Sequence, residues 1–510
     1  MIEMTIAHIA EIVGGELADI TPEQAAATRV TGTVEFDSRA VGPGGLFLAL
    51  PGARSDGHDF AAAAVEAGAA VVLAARPVGV PAIVVRPGDV VDPASGALEH
   101  DTDGSGAAVL AALARLAAAV AAELTADGLK IIGVTGSSGK TSTKDLLAAV
   151  LTPLGEVVAP PGSFNNELGH PWTVLRATRD TDFLVLEMSA RHPGNIAALA
   201  AIAPPSIAVV LNVGTAHLGE FGSREMIAKT KAELPQSVGA SGVVVLNADD
   251  TAVAAMAGQT AARVVRISRE PGSDIDVWAG PVTLDELARP RFTLYTRDGG
   301  EVAVHLAVHG DHQVSNALCA AAVALECGAT PQQVADALAA AGPASRHRMQ
   351  VGTRSDGVTV INDAYNANPD SMRAGLKALA WMARQDSGEQ PGGKRRSWAV
   401  LGEMAELGDD AITEHDAIGR FAVRLDVSRL LVVGSGRAMN AMHHGAVMEG
   451  SWGSESTMVA DADAALAVLR DELRPGDVVL VKASNSVGLA ALAEALVADE
   501  DSSDGRATAR

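Results

Sequence analysis

The sequence predicts an α/β protein of three domains, and three observations predict it. At 510 residues the chain is too long for one hydrophobic core, so two to four domains are expected. Short apolar, β-rich runs recur along it with helical segments between many of them, the alternation of mostly parallel sheets covered by helices. At GVTGSSGKTST (133–143), an apolar run enters a glycine turn and continues into the Ala/Leu-rich segment 144–151, which reads as strand, tight turn and helix.

The elements follow in order. The first region, 1–100, offers short strands at 46–50, 70–73 and 83–85 and a helix around 60–66. The Gly/Asp-rich stretch 87–106 reads as a linker. The second region, 101–342, opens on GAAVLAALARLAAAVAAEL (106–124), the most membrane-like window of the chain. It is Ala-rich, carries Arg115 and is flanked by polar residues, so a packed helix is expected rather than a span. Past the glycine turn, strands are expected at 183–186, 207–211, 243–246 and 264–267, with an antiparallel addition at the sheet edge in 275–309. The third region, 343–498, follows helices at 315–326 and 331–340. It repeats the rhythm with strands at 358–361, 398–401, 430–433 and 478–481. Glycine turns at Gly402 and at Gly434-Ser435-Gly436 lack a following Lys-Thr and read as ordinary strand-to-helix turns. The polar tail 499–510 is expected to be disordered.

A net charge of −23 argues against nucleic acid or an anionic membrane as a general partner, because phosphate backbones select basic faces. Any phosphate ligand must therefore be held by local donors. Cys319 and Cys327 are the only cysteines and both fall in an apolar, helical stretch. No disulfide framework or zinc site is expected, and a reducing compartment fits. The N-terminus lacks a basic segment followed by a long apolar one, so a cytoplasmic location is expected.

The residues able to carry chemistry form five groups. In Thr135-Gly136-Ser137-Ser138-Gly139-Lys140-Thr141-Ser142, exposed backbone N–H groups and a helix N-terminus suit a polyphosphate. Lys140 can reach phosphate oxygens and the Thr141 hydroxyl can join a Mg²⁺ shell. Val134 stands where the stricter form of this motif has glycine. Glu187, just past the strand 183–186, suits either a Mg²⁺ ligand at the ligand-binding edge of a parallel sheet or a solvated strand end. His217 lies in a glycine-rich loop after another buried strand, and on its own reads as a structural histidine before a functional one. Lys229, Lys231 and Glu233, at alternate positions of a helix, read on their own as a charged solvent face. In the third region Arg348 offers a planar cation suited to a γ-phosphate. Asp363 sits past the strand 358–361 beside Tyr365, Asn366 and Asn368, a density of hydrogen-bonding groups that favours ligand contact.

These residues, in this order, resemble the Mur ligase family of ATP-dependent amide-forming enzymes. The resemblance is carried by TGSSGKTST (135–143), SFNNELGHP (163–171), EMSARHPG (187–194), NVGTAHL (212–218), AKTKAEL (228–234), GDHQVSNALCAAAVAL (310–325), HRM (347–349), NDAYNANPDSM (362–372) and GDVVLVKAS (476–484). It implies a small N-terminal α/β domain for a UDP-sugar (1–100) and a central P-loop ATPase domain (101–342). A C-terminal domain of dinucleotide-binding, Rossmann type (343–498) would close over ATP and take the incoming amine. Within the family, DAYNANPDSM (363–372), LGEMAELG (401–408) with His415, and FDSRAVGPGGLFLALPGARSDGHDF (36–60) are most similar to the branch joining D-alanyl-D-alanine to UDP-N-acetylmuramoyl-tripeptide. The branch adding the third stem-peptide residue shares the N-terminal motifs. Its diaminopimelate version has an Asp-Asn-Pro-Arg signature where this chain has Asn368-Pro369-Asp370-Ser371. A non-catalytic UDP-muramyl-peptide scaffold is the reading from outside enzymes.

The family's loop, Thr-Gly-x-x-Gly-Lys-Thr, is met in full here. The resemblance implies ATP with two Mg²⁺ ions. Thr141 and Glu187 would hold one and His217 would help hold the second, while Lys231 matches a lysine that the family carbamylates. Asn316 would lie near adenine, and Arg348 and Asp363 would reach across on closure. Ser38 and Arg39 with Gly57-His58-Asp59 would touch the UDP-sugar, and Asn366, Asn368 and Asp370 the D-Ala-D-Ala. No base for the amine stands out, and a monomer is expected. Gln313, Ala483 and Asn485 depart from the residues often found at those positions.

Overall fold

Three sheets, each from its own stretch of chain, organise the molecule. The computed structural model describes residues 1–52, 55–87, 100–214, 218–385, 395–450 and 455–498. His217, most of the expected linker (88–99) and the expected tail (499–510) lie outside the described residues.

The first sheet has five strands in the order Glu16–Ala18, Ala82–Val84, Ala69–Ala74, Gly45–Leu48, Val34–Glu35, parallel but for the first pair. The helix expected around 60–66 begins as a 3₁₀ turn, Gly57–Phe60, capped by the Asp56 carboxylate, and continues as Ala61–Glu66. The 22-residue helix Ser105–Ala126 is long and apolar enough to cross a membrane by composition. Its Val109, Leu113, Leu116, Val120 and Leu124 nevertheless line one face at helical spacing and are buried. They share a core with Ile6, Ile9 and Val13 on one side and Leu175 and Leu199 on the other. Arg115, the charge within that window, donates to the Val13 carbonyl at 2.7 Å. The helix thus joins the first sheet's layer to the central one.

The central sheet has ten strands. Val157–Val158, Phe183–Glu187, Lys130–Thr135, Ile207–Val210, Val243–Asn247, Arg263–Ser268 and Val277–Ala279 run parallel in that spatial order. The antiparallel strands Pro290–Thr296, Thr283–Leu284 and Glu301–His305 complete the edge, where the sequence places them. Sequence order reverses on either side of Lys130–Thr135, since the chain goes first to Val157–Val158 and Phe183–Glu187 on one flank and then to Ile207–Val210 on the other. Such a reversal opens a crevice beyond the carboxyl ends of the strands, the place where open α/β sheets bind ligands. The glycine loop, Glu187 and Asn212 all sit at that edge.

The third sheet orders Gln350–Thr353, Thr359–Asn362, Val478–Lys482, Ser397–Leu401, Arg429–Val433 and Ser456–Val459, parallel except for its first strand. It too reverses, beside Val478–Lys482, and its carboxyl edge faces that of the central sheet. The connection between them is tied down at Ser345, whose N–H donates to Asp145 and whose hydroxyl accepts the Gly162 N–H, each at 3.0 Å.

Candidate active site

The glycine loop is shaped by its neighbours. Asn212 Oδ1 accepts the N–H groups of Ser137 and Ser138, both at 3.0 Å, and its Nδ2 donates to the Ser138 carbonyl. Gly139 then turns the chain at φ +84°, and a Cβ there would lie 2.7 Å from Asn316 Oδ1. Only glycine combines that backbone with that approach. The helix Lys140–Leu151 begins with no side-chain cap, so the N–H groups of its first turn face the cleft. Asn316 is held by Gln313 Oε1 at 2.8 Å, so the substitution at 313 supports the residue near which the loop turns.

Lys140 Nζ donates to the Gly136 carbonyl at 2.8 Å. Burial lowers its pKa, the Glu187 carboxylate opposes that, and Arg348 adds to the lowering. Glu187 is 2% exposed. Its Oε2 accepts from Ser163 at 3.1 Å and Thr141 at 3.3 Å, while Oε1 is buried without a hydrogen-bond partner. A buried carboxylate oxygen left unmatched is costly, and a hard cation is the partner that satisfies it. Among the described residues no three His, Cys, Asp or Glu side chains cluster as a metal cage.

The trio that reads as a solvent face divides. Lys229 is exposed, whereas Lys231 is 7% exposed, with no hydrogen-bond or ion-pair partner among the described residues. Burial, then the nearby Lys140 cation, push the Lys231 pKa well below its ordinary value. Glu233 accepts the N–H groups of Gly194 (2.7 Å) and Ala197 (3.0 Å) at the start of helix Asn195–Ile202.

From the third domain, Arg348 Nη2 donates to Thr141 Oγ1 at 3.2 Å and its guanidinium lies 4.2 Å over the Tyr365 ring. The residues on either side, His347 and Met349, hold φ values of +58° and +47°. Asp363 pairs with Lys482 Nζ at 2.6 Å and accepts the Met349 N–H at 3.0 Å. Lys482 also donates to the Asn366 carbonyl, and burial lowers its pKa against the pull of Asp363. Asn368 caps helix Pro369–Arg384 reciprocally with Ser371. A Cβ at Gly214 would run into the Asp370 carboxylate, which places Asp370 over the central domain's loop.

A cleft of about 750 Å³ between the two carboxyl edges is lined by Ser137–Ser142, Ser163, Asn165, Asn316, Arg348, Asp363, Asn366, Asn368 and Asp370. Glu187 and Lys231 do not line it; Glu187 reaches it through Thr141 and Ser163. The residues expected at a UDP-sugar lie elsewhere, in the first domain. Arg39 is exposed and paired with Asp37 at 2.7 Å, and Ser38 is half-buried beside them. Gly57 has no room for a Cβ, which would come within 2.6 Å of the Leu50 main chain. The His58 ring is engaged on both sides, Nδ1 donating to Asp56 (2.6 Å) and Nε2 accepting the Ala75 N–H (3.0 Å), while Asp59 is exposed. Trp172 ties this domain to the centre, donating to the Val34 carbonyl at 2.9 Å and stacking under Arg176.

Sequence reasoning assigned no role to Asn212, Ser163, Asn165 or Lys482. The signal was positional: Asn212 and Lys482 stand at the carboxyl ends of buried strands, as Glu187 does.

Three family profiles match in succession: "Mur ligase family, catalytic domain" over 32–122, "Mur ligase middle domain" over 134–324 and "Mur ligase, glutamate ligase domain" over 347–485. The UDP-N-acetylmuramoyl-tripeptide–D-alanyl-D-alanine ligase of Mycobacterium tuberculosis is 76% identical over 98% of this chain and 99% of its own. The enzyme of the same name from Escherichia coli is 33% identical over 85% and 86%. A crystal structure of MurF from Acinetobacter baumannii superposes with a TM-score of 0.78 at 28% identity, covering 97% of this chain and 99% of that one. MurF ligase from Thermotoga maritima in complex with ADP gives 0.71 at 27% identity, over 92% and 98%.

Proposed function

The chain belongs to the Mur ligase family, and from that premise we propose that it joins D-alanyl-D-alanine to UDP-N-acetylmuramoyl-tripeptide with cleavage of ATP to ADP and phosphate. One observation carries the reading at the level of chemistry. The Thr141 hydroxyl is shared between Glu187 of the central domain and Arg348 of the third, so a phosphate cradle, a buried carboxylate and a cation from the facing domain converge on one atom. That arrangement suits transfer of a terminal phosphate to a carboxylate held in the cleft.

In this reading the tripeptide carboxylate attacks the terminal phosphate, the amine attacks the resulting acyl phosphate, and phosphate leaves. The difficulty is bringing anions together. Lys140 and Arg348 offset their repulsion from two sides, and closure of the third domain keeps water from the acyl phosphate. Thr141 and Glu187 fit Mg²⁺, which would neutralise phosphate charge there. Burial and the Lys140 cation disfavour the Lys231 ammonium; its neutral amine is the form that captures CO₂ as a carbamate, and a carbamate would give a second oxygen ligand where His217 is also expected. Thr135, Gly136 and Ser142 frame the loop, Asn316 lies toward adenine, and Asp363 holds the Arg348 segment through Met349. Ser38, Arg39 and the Gly57-His58-Asp59 turn are the proposed UDP-sugar contacts, with Asn366, Asn368 and Asp370 toward the dipeptide. The three domains are taken as 1–100, 101–342 and 343–498. A cytoplasmic monomer is the proposed working unit.

The test is phosphate release with ATP, UDP-N-acetylmuramoyl-tripeptide and each candidate amine. Release that requires D-alanyl-D-alanine is expected. Release driven by a single amino acid on the dipeptide precursor would reassign the chain to the third-residue branch, and no release with any amine would leave a binding scaffold.

A further inference from the structure

The third domain meets the central one along a short lip, residues 402–408, that follows the strand Ser397–Leu401. Ala405, Glu406 and Leu407 line the cleft. Glu406 adopts φ +64°, a left-handed backbone that a residue with a Cβ takes only when its surroundings impose it. Its carboxylate bonds Arg191 of the central domain at 3.0 Å. Next to it, Gly408 at φ +57° packs on Gly219, where a Cβ would come within 2.6 Å of the Gly408 nitrogen.

What imposes this shape lies behind the lip. The Ala405 N–H donates to Ser484 Oγ and the Met404 N–H donates to His415 Nε2, each at 2.9 Å. His415 is fully buried, and its Nδ1 lies 2.6 Å from the Ala411 carbonyl. A carbonyl can only accept, so Nδ1 carries the proton and Nε2 is the acceptor that Met404 needs. Protonation would aim an N–H at an N–H and release the lip. Burial holds the ring neutral; Glu403 and Glu414 favour the cation, and Glu414 is itself paired with Arg373 from helix Pro369–Arg384 at 2.9 Å.

We propose that His415 is a positioning residue for the ligase reaction: through Met404 it sets the 402–408 lip so that Glu406 closes onto Arg191 and completes the amine side of the cleft. The proposal deepens the function proposed above and rests on it. The nucleotide side, with Gly139 and Asn316, belongs to the central domain, and the lip reaches it only through the charge of Glu406, which favours the Lys140 cation.

The experiment compares steady-state phosphate release, ADP affinity and pH profiles for wild type, His415→Leu, His415→Gln and Glu406→Gln. His415→Leu is expected to lower kcat/KM for the amine about tenfold, the net worth of roughly one hydrogen bond, with ADP affinity changed much less. His415→Gln keeps an acceptor that does not titrate. It should recover most of the neutral-pH activity and decline less than wild type below the ordinary histidine range of about 6.5. Glu406→Gln, on an exposed side chain with no bearing on folding, should reproduce the Leu variant's loss; should His415→Leu not fold, it and the Gln profile decide. Wild-type kcat/KM in either His415→Leu or Glu406→Gln, or an acid limb in His415→Gln equal to that of wild type, would overturn the proposal. All variants are assayed with whichever amine the wild type uses. An unexpected amine therefore revises the proposed function and leaves the comparison standing.

Discussion

Arg348→Ala isolates the contribution of domain closure. The side chain makes two interactions that truncation removes: a charge-assisted hydrogen bond to Thr141 and a cation–π contact with Tyr365. The first is worth about 1.5–3 kcal/mol and the second about 0.5–2 kcal/mol. Both partners border the cleft and regain water in the variant, so no large penalty from stranded groups adds to the sum. Allowing for overlap, about 2–4 kcal/mol of transition-state stabilisation is lost, or roughly 30- to 1,000-fold in kcat/KM at 1.36 kcal/mol per decade. Arg348→Lys keeps the charge without the planar fork or the stack, and should fall between, near tenfold. Stopped-flow phosphate release with saturating ATP measures the loss, and titration of ADP against the variant separates it from nucleotide binding. Because Arg348 arrives from the facing domain while the loop belongs to the central one, ADP affinity should change much less than turnover. A loss below about threefold in Arg348→Ala would refute the closure argument, whatever happened to ADP binding.

Three further outcomes follow from single contacts. Gly139→Ala puts a Cβ at φ +84° and against Asn316, so strain of about 1–2 kcal/mol plus displacement of Asn316 should weaken ADP binding at least about tenfold in calorimetric titration. Lys482→Met strands the Asp363 carboxylate, and urea unfolding should show about 3–5 kcal/mol lost, with part regained in Lys482→Met/Asp363→Leu. His170 is fully buried, and burial lowers its pKa to about 4 against the main chain of Glu187 and Leu199, which favour the cation. The unfolded chain therefore takes up this proton first as pH falls, so stability should decline from pH ~6.5 to ~4 by roughly 3 kcal/mol and flatten below, an increment that His170→Leu abolishes in pH-dependent unfolding.

What the sequence disclosed and what it hid divide along the range of the interactions. The glycine loop was legible because its strand, turn and helix are consecutive, and its chemistry is mostly backbone. Glu187 was legible as a strand end; what the structure adds is burial and an oxygen without a partner. Lys229, Lys231 and Glu233 could not be told apart, because a helix with charges at alternate positions looks solvated until its neighbours are known. In the fold one points to water, one is buried and one accepts N–H groups at the start of the earlier helix Asn195–Ile202. Arg348 and Thr141, 207 residues apart, meet only because two sheets that both reverse direction turn their carboxyl edges toward each other. Each half of the cleft is thus written locally, as loops after strands, but their meeting is written in residues that never touch phosphate. Ser345 bridges Asp145 and Gly162, and His415 grips Met404. Such residues carry no motif of their own, since any donor or acceptor of the right reach would serve. It follows that changes there should alter turnover more than nucleotide affinity, whereas changes in the loop should alter both.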